Sequence, residues 1–187
     1  SELISRNIKS RYKRSILGVA WTMINPLLTM LVLYIVFSQL FLSSLPRYAV
    51  YLLSGLLLWN FFSQSTVAAI RDLIWSGERL HRIPIPRAIF AVAAVGTGLI
   101  NLLLALIPLA IIGFISGSKL SWALLFLPVA LLLAVLFALG VGLGLSSLAV
   151  FFTDIADMYQ IILLAWMYLT PILYPIEILP PQFRWFL

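Results

Sequence analysis

The chain has 187 residues, 63% of them hydrophobic and only 10% charged, with a formal net charge of +6. Soluble domains average about 25% charged residues, and a soluble fold of this size has too little interior to hide so much apolar surface, so the composition points to an integral membrane protein. Cysteine is absent, which excludes disulfides and thiol chemistry, and the single histidine, His81, cannot build a metal cluster.

The N-terminal stretch is basic: Arg6, Lys9, Arg11, Lys13 and Arg14 fall within nine residues. On a helical wheel at about 100° per residue, Ile4, Ile8, Tyr12 and Ile16 form one stripe. Arg6, Lys9 and Lys13 lie opposite, with Arg14 at the side. Residues 1–16 are therefore predicted to form a basic amphipathic helix in the cytoplasmic membrane interface. A plain positively charged flank is the simpler reading of the same charges. A nucleic-acid arm is excluded because the segment runs straight into an apolar span. A signal peptide is excluded because residues 30–45 hold no cleavage pattern and the apolar run is too long for one.

Five uncharged stretches follow, predicted as membrane helices at 21–42, 50–70, 88–115, within 121–152, and at 158–174. About 20 helical residues cross about 30 Å of hydrocarbon. The fourth stretch is too short for two crossings and is predicted to be one helix, with Pro128 at its start or at a kink. Asn25-Pro26 lies just inside the first. Pro26 either opens that helix or kinks it, freeing the carbonyl near residue 22, which Asn25 can satisfy unless it faces a channel. Lys and Arg set the orientation. The N-terminal segment and the 71–87 loop together carry nine, against three at Arg47, Lys119 and Arg184, so the N-terminus is predicted to be cytoplasmic.

The 71–87 loop mixes charge signs and is stiffened by Pro84 and Pro86, as a docking surface or an ordinary turn. Ser76-Gly77 is predicted to break the helix before it. Asp154 and Asp157 are read as caps at the positive N-terminus of the fifth helix. Gly140 and Gly144 are read as a close helix-packing pair, not a nucleotide fingerprint, since no strand precedes them. No phosphate-binding loop is present. No ionisable residue lies in mid-span, which argues against ion-coupled transport. Amides, hydroxyls and rings do, including Thr22, Asn25, Tyr34, Gln39, Asn60, Gln64, Asn101 and Thr170. They suit a sugar-bearing cargo, or they serve helix packing and the interfacial aromatic belt. The tail, with Pro171, Pro175, Pro180 and Pro181, is read as an interfacial or re-entrant element or a loop.

The stretches RYKRSILGVAWTMINPLLTMLVLYIVFS, YLLSGLLLWNFF, IPRAIF and VFFTDIADMYQIILLAWMYLTPILYP resemble the permease subunit of polysaccharide ABC exporters, which move O-antigen, capsule or teichoic acid. The resemblance covers nearly the whole chain. One departure is Ile85, where that family often has Phe before Pro-Arg. The resemblance implies an all-α polytopic membrane protein, with an interface helix and five visible membrane helices, and a sixth missing from a chain trimmed at its ends. It implies a homodimer in the bacterial inner membrane, with two cytosolic ATPase subunits that bind ATP and Mg, and no cofactor or catalytic residue in this chain. The ATPase-coupling segment would comprise Glu78, Arg79, Leu80, His81, Arg82, Ile83 and Pro84. The interface helix would use Arg6, Lys9, Arg11, Lys13 and Arg14. A channel for the lipid-linked glycan would involve Asn25, Tyr34, Phe37, Trp59, Phe62, Trp166, Tyr168 and Tyr174, with residues 175–187 as an outer gate. The alternatives are an ABC exporter of drugs or small lipids, a membrane enzyme acting on polyprenyl-linked sugars, and a purely structural membrane protein.

Overall fold

The computed structural model describes residues 21–41, 48–77, 88–117, 122–152 and 154–175. Five α-helices follow in order: α1 (Trp21–Phe41), α2 (Tyr48–Gly77), α3 (Ala88–Ile115), α4 (Leu127–Ala149) and α5 (Ile155–Leu169), with a short 3-10 turn at Trp122–Phe126 leading into α4. The described residues contain no strand. This all-helical architecture follows from the solvent: inside lipid every backbone N–H and C=O has to be satisfied within its own segment. The predicted interface helix with Arg6, Lys9, Arg11, Lys13 and Arg14, the stretch Glu78–Pro84 and the tail beyond Pro175 lie outside the described residues.

Among the described residues, three stretches are long and apolar enough to cross a membrane: Tyr48–Leu73, Ala88–Ile115 and Leu127–Ala149. Half of the α2 window is buried, against 17% in α3 and α4. The central helix is therefore α2, and the others pack around it. Its fully buried side chains include Leu52, Leu53, Leu56 and Ile70, while Ile111, Phe114, Leu132, Leu133 and Leu136 turn outward, as lipid-facing residues do. α2 continues past the predicted 50–70 span to Gly77, so Arg71 and Asp72 are helical.

Pro108 lies inside α3, and three further prolines bear on the expected spans. Pro128 sits in the first turn of α4, where its missing N–H has no intrahelical partner to lose. Pro26 lies inside α1, so the helix runs through it rather than starting at it. Pro171 follows the end of α5. The predicted fifth span, 158–174, is in the structure a helix ending at Leu169 and a turn that reaches Pro175. α5 runs antiparallel to α2. Arg71 Nη2 donates to Gln160 Oε1 at 3.0 Å and Tyr159 O–H to Thr66 Oγ1 at 2.8 Å. Farther along, Trp59 meets Trp166 at 6.0 Å between ring centroids.

Two readings of the sequence change. Gly140 and Gly144 have nothing within 4 Å of a Cβ built on them; the close approach is at Gly142, 3.3 Å from Ala69 Cβ. The spacing was sound as a motif, but the face of α4 turned toward α2 is the one bearing Gly142. Asp154 does occupy the N-cap position of α5, yet it is in the αR region and makes no side-chain capping hydrogen bond. Its carbonyl instead accepts from the N–H groups of Asp157 and Met158. What remains for Asp157 is the favourable placement of an acid in the first turn.

Candidate functional site

On one face of α2, Leu57, Asn60, Phe61, Gln64, Ala68 and Arg71 recur at helical spacing. They form the back wall of a cleft of about 850 Å³. Ala94, Thr97, Gly98, Asn101, Leu102 and Ala105 of α3 form the second wall, and Trp21, Asn25 and Pro26 of α1 the third. The lining is polar but uncharged along its depth, with Arg71 and Asp72 at one end. At about 1.5 Å per residue, Asn60 lies about 16 Å from Arg71 along α2. The cleft thus reaches from the Arg71 end to near the middle of the bundle. Pro26 cannot donate a backbone hydrogen bond, so one carbonyl in the preceding turn of α1 loses its intrahelical donor beside the cleft.

The hydroxyls near the cleft behave in two ways. Thr66 Oγ1 donates to the Phe62 carbonyl at 2.8 Å, and Thr97 Oγ1 to that of Ala93 at 2.7 Å, the usual solution in an apolar helix. Ser65 differs. It is 1% exposed and its Oγ finds no hydrogen-bond partner. It faces Gly98, where a built Cβ would lie 2.0 Å from that oxygen. Only the bare Cα of glycine lets α3 come this close to α2.

The opposite face of α2 carries rings. Phe62 stacks on Phe137 of α4 at 5.2 Å, and Trp166 of α5 meets Phe62 edge-on at 5.5 Å. Trp59 closes the group at 6.0 Å from Phe62. Phe137 and Trp166 keep 52% and 39% of their surface exposed, so the wall presents ring surface outward as well as packing.

A third feature closes the far end of α2. Tyr34, Tyr48 and Tyr51 stack in sequence, at 6.2 and 6.4 Å. Tyr48 O–H donates to the Leu173 carbonyl at 2.7 Å. Tyr51 O–H reaches the carbonyls of Pro171 and Tyr174. Tyr174 O–H in turn reaches those of Tyr168 and Leu169, at 3.0 and 3.2 Å. The last carbonyls of α5 have no partners inside the helix; Tyr174 serves those of Tyr168 and Leu169, while Tyr48 and Tyr51 serve the carbonyls of the turn that follows.

The eight channel residues expected from the sequence therefore fall in different places. Asn25 lines the polar cleft. Trp59, Phe62 and Trp166 come together in the aromatic wall. Tyr34 and Tyr174 belong to the tyrosine-held turn, and Phe37 packs half-buried against the core. The Tyr168 side chain is exposed and only its carbonyl takes part. Sequence reasoning missed Phe137, Ser65, Thr97 and Gly98. Phe137 carried a signal, as the one ring in an aliphatic stretch. Ser65 carried none that set it apart from Thr66.

Known proteins resemble this chain over nearly all of its length. The chain is 30% identical over 175 residues to the O-antigen export system permease protein RfbA of Myxococcus xanthus, covering 94% of this chain and 67% of that protein. It is 28% and 27% identical over 185 residues to two O-antigen export system permease proteins RfbA of Klebsiella pneumoniae, covering 98% of this chain and 71% of each. The pattern of the ABC-2 type transporter family matches residues 1–187, and the chain belongs to that family.

Proposed function

We propose that this chain is the membrane-spanning subunit of an ATP-driven exporter that moves a lipid-linked polysaccharide, of the O-antigen, capsule or teichoic acid type, across the bacterial cytoplasmic membrane. The observation that carries the reading is the likeness to O-antigen export permeases over nearly the whole chain. It favours glycan export over the drug-export and enzyme alternatives. The site chemistry supports it: rings and carboxamides suit a cargo rich in hydroxyls.

In this reading the chain transports and performs no covalent chemistry. ATP and Mg are bound by separate cytosolic ATPase subunits, and a second copy of the chain completes the pathway between the two. The N-terminus is cytoplasmic, with Arg6, Lys9, Arg11, Lys13 and Arg14 at the membrane surface. Residues Glu78 to Pro84 transmit the motion of the ATPase, and α2, which leads into that stretch, carries it into the bundle. The segment after α5 serves as an outer gate.

The test is co-purification of the tagged full-length protein with its ATPase. A stable pair whose ATP hydrolysis depends on this chain supports the proposal. Absence of an ATPase partner, together with turnover by the isolated chain, defeats it. The triple change Glu78→Lys, Arg79→Glu, Arg82→Glu is expected to abolish ATPase association while membrane insertion is retained. Unchanged association and export would remove the coupling role from this stretch.

A further inference from the structure

Asn25, Asn60, Gln64, Asn101 and Gln160 carry side-chain amides on the described helices. Gln160 is bonded to Arg71, to Asp157 and to the Ala156 carbonyl. The other four all line the cleft between α1, α2 and α3, and among the described residues none of them has a side-chain hydrogen-bond partner. Asn25 and Gln64 are exposed and Asn60 and Asn101 half-buried, so their amides face the open space of the cleft rather than packed hydrocarbon. Carboxamides from three separate helices, converging on one space, form the polar lining of a binding site.

The chemistry of the lining narrows what enters. Each carboxamide offers two N–H donors and a carbonyl acceptor. Such groups match hydroxyls, which also donate and accept, and they do not match a hydrocarbon chain. Trp21 and Phe61 place rings in the same lining, against which the C–H face of a sugar can rest. The volume, about 850 Å³, falls within the ~300–1,000 Å³ of small-molecule sites. That is room for a short run of sugar units.

We propose that the α1–α2–α3 cleft is a binding site for the glycosyl headgroup, a few sugars long, of a membrane lipid. It lies on the opposite face of α2 from the aromatic wall, so the two surfaces contact different parts of a cargo. The identity of the natural ligand as the lipid-proximal sugars of an exported glycan rests on the export reading above. The binding chemistry rests on the cleft alone.

The experiment uses the full-length protein in phosphatidylethanolamine–phosphatidylglycerol nanodiscs and a diazirine-bearing dodecyl maltoside as photolabel. Labelled peptides should map to α1, α2 and α3 around Asn25, Asn60 and Asn101. Unlabelled dodecyl maltoside should compete, and dodecyl phosphocholine, with the same tail, should not. Asn60→Leu and Asn101→Leu should each lower labelling about fivefold, the worth of one lost hydrogen bond. The competition arm uses only the wild-type chain and decides the matter even where a variant fails to fold. Equal competition by both detergents, or unchanged labelling in folded variants, overturns the site. Headgroup-selective labelling in a chain that exports no glycan leaves the site standing and defeats the export reading. Export without headgroup-selective labelling does the reverse.

Discussion

At Gly98 a single missing methyl group sets the distance between two helices. A Cβ there would lie 2.0 Å from Ser65 Oγ, with Ser65 Cβ at 3.3 Å and Phe61 Cδ2 at 3.4 Å behind it. Gly98→Ala is therefore expected to drive Ser65 into another rotamer, at about 1 kcal/mol. Ser65→Ala removes the obstructing oxygen. Because that hydroxyl is buried without a partner, its deletion should be neutral or stabilising. Melting temperatures in one detergent should place Gly98→Ala lowest, Ser65→Ala at or above wild type, and the double variant close to Ser65→Ala. A clear fall for Ser65→Ala alone would mean the hydroxyl is bonded after all. Little of this could be read beforehand. A serine in an apolar helix ordinarily bonds its own preceding turn, as Thr66 does, and no local pattern separates the two. The four cleft amides were legible as uncharged polar residues in the spans. Their convergence was not, because it depends on how three helices rotate about their axes.

Among the elements, the end of α5 is the most informative. The helix stops at Leu169, and Ile172 then packs onto Gly55, where a built Cβ would meet Ile172 Cγ2 at 2.9 Å. Tyr48 and Tyr51 of α2 hold the same turn through its carbonyls. Tyr51→Phe removes one of the two phenols and should loosen the turn without unfolding the bundle. The chain contains no cysteine, so one introduced by Leu173→Cys reports on this spot alone. Leu173 is 5% exposed, and maleimide labelling of the cysteine should rise about fivefold when Tyr51→Phe is added, the scale of one hydrogen bond. An unchanged rate would mean that Ile172 packing holds the turn by itself. Membrane helices were legible because bilayer thickness fixes how long an apolar run has to be. Pro171 marked trouble near the end of the fifth. Which glycine of α4 would meet its neighbour was not legible, since Gly140, Gly142 and Gly144 all fit a small-residue pattern and only tertiary packing chose Gly142.

For the whole molecule, the asymmetry of Lys and Arg predicts one arrangement of the loops. Gly77 and Gly117 stand at opposite ends of the bundle, separated by α3. A fluorescent-protein fusion after Gly77 should glow, and an alkaline phosphatase fusion after Gly117 should be active. The reverse pattern would invert the orientation. The bundle has one central helix, α2, with the polar cleft and the aromatic wall on its two sides and the tyrosine-held turn at its far end. α5 adds a property that belongs to the lipid as much as to the protein. Its 15 residues extend only about 22 Å, about 8 Å short of the ~30 Å of hydrocarbon around it. A bilayer meets such a mismatch by thinning, or by drawing water and headgroups inward. The film beside Tyr168 and Leu169 is therefore expected to be thinner than elsewhere, so that a polar group crossing there would leave water for a shorter distance.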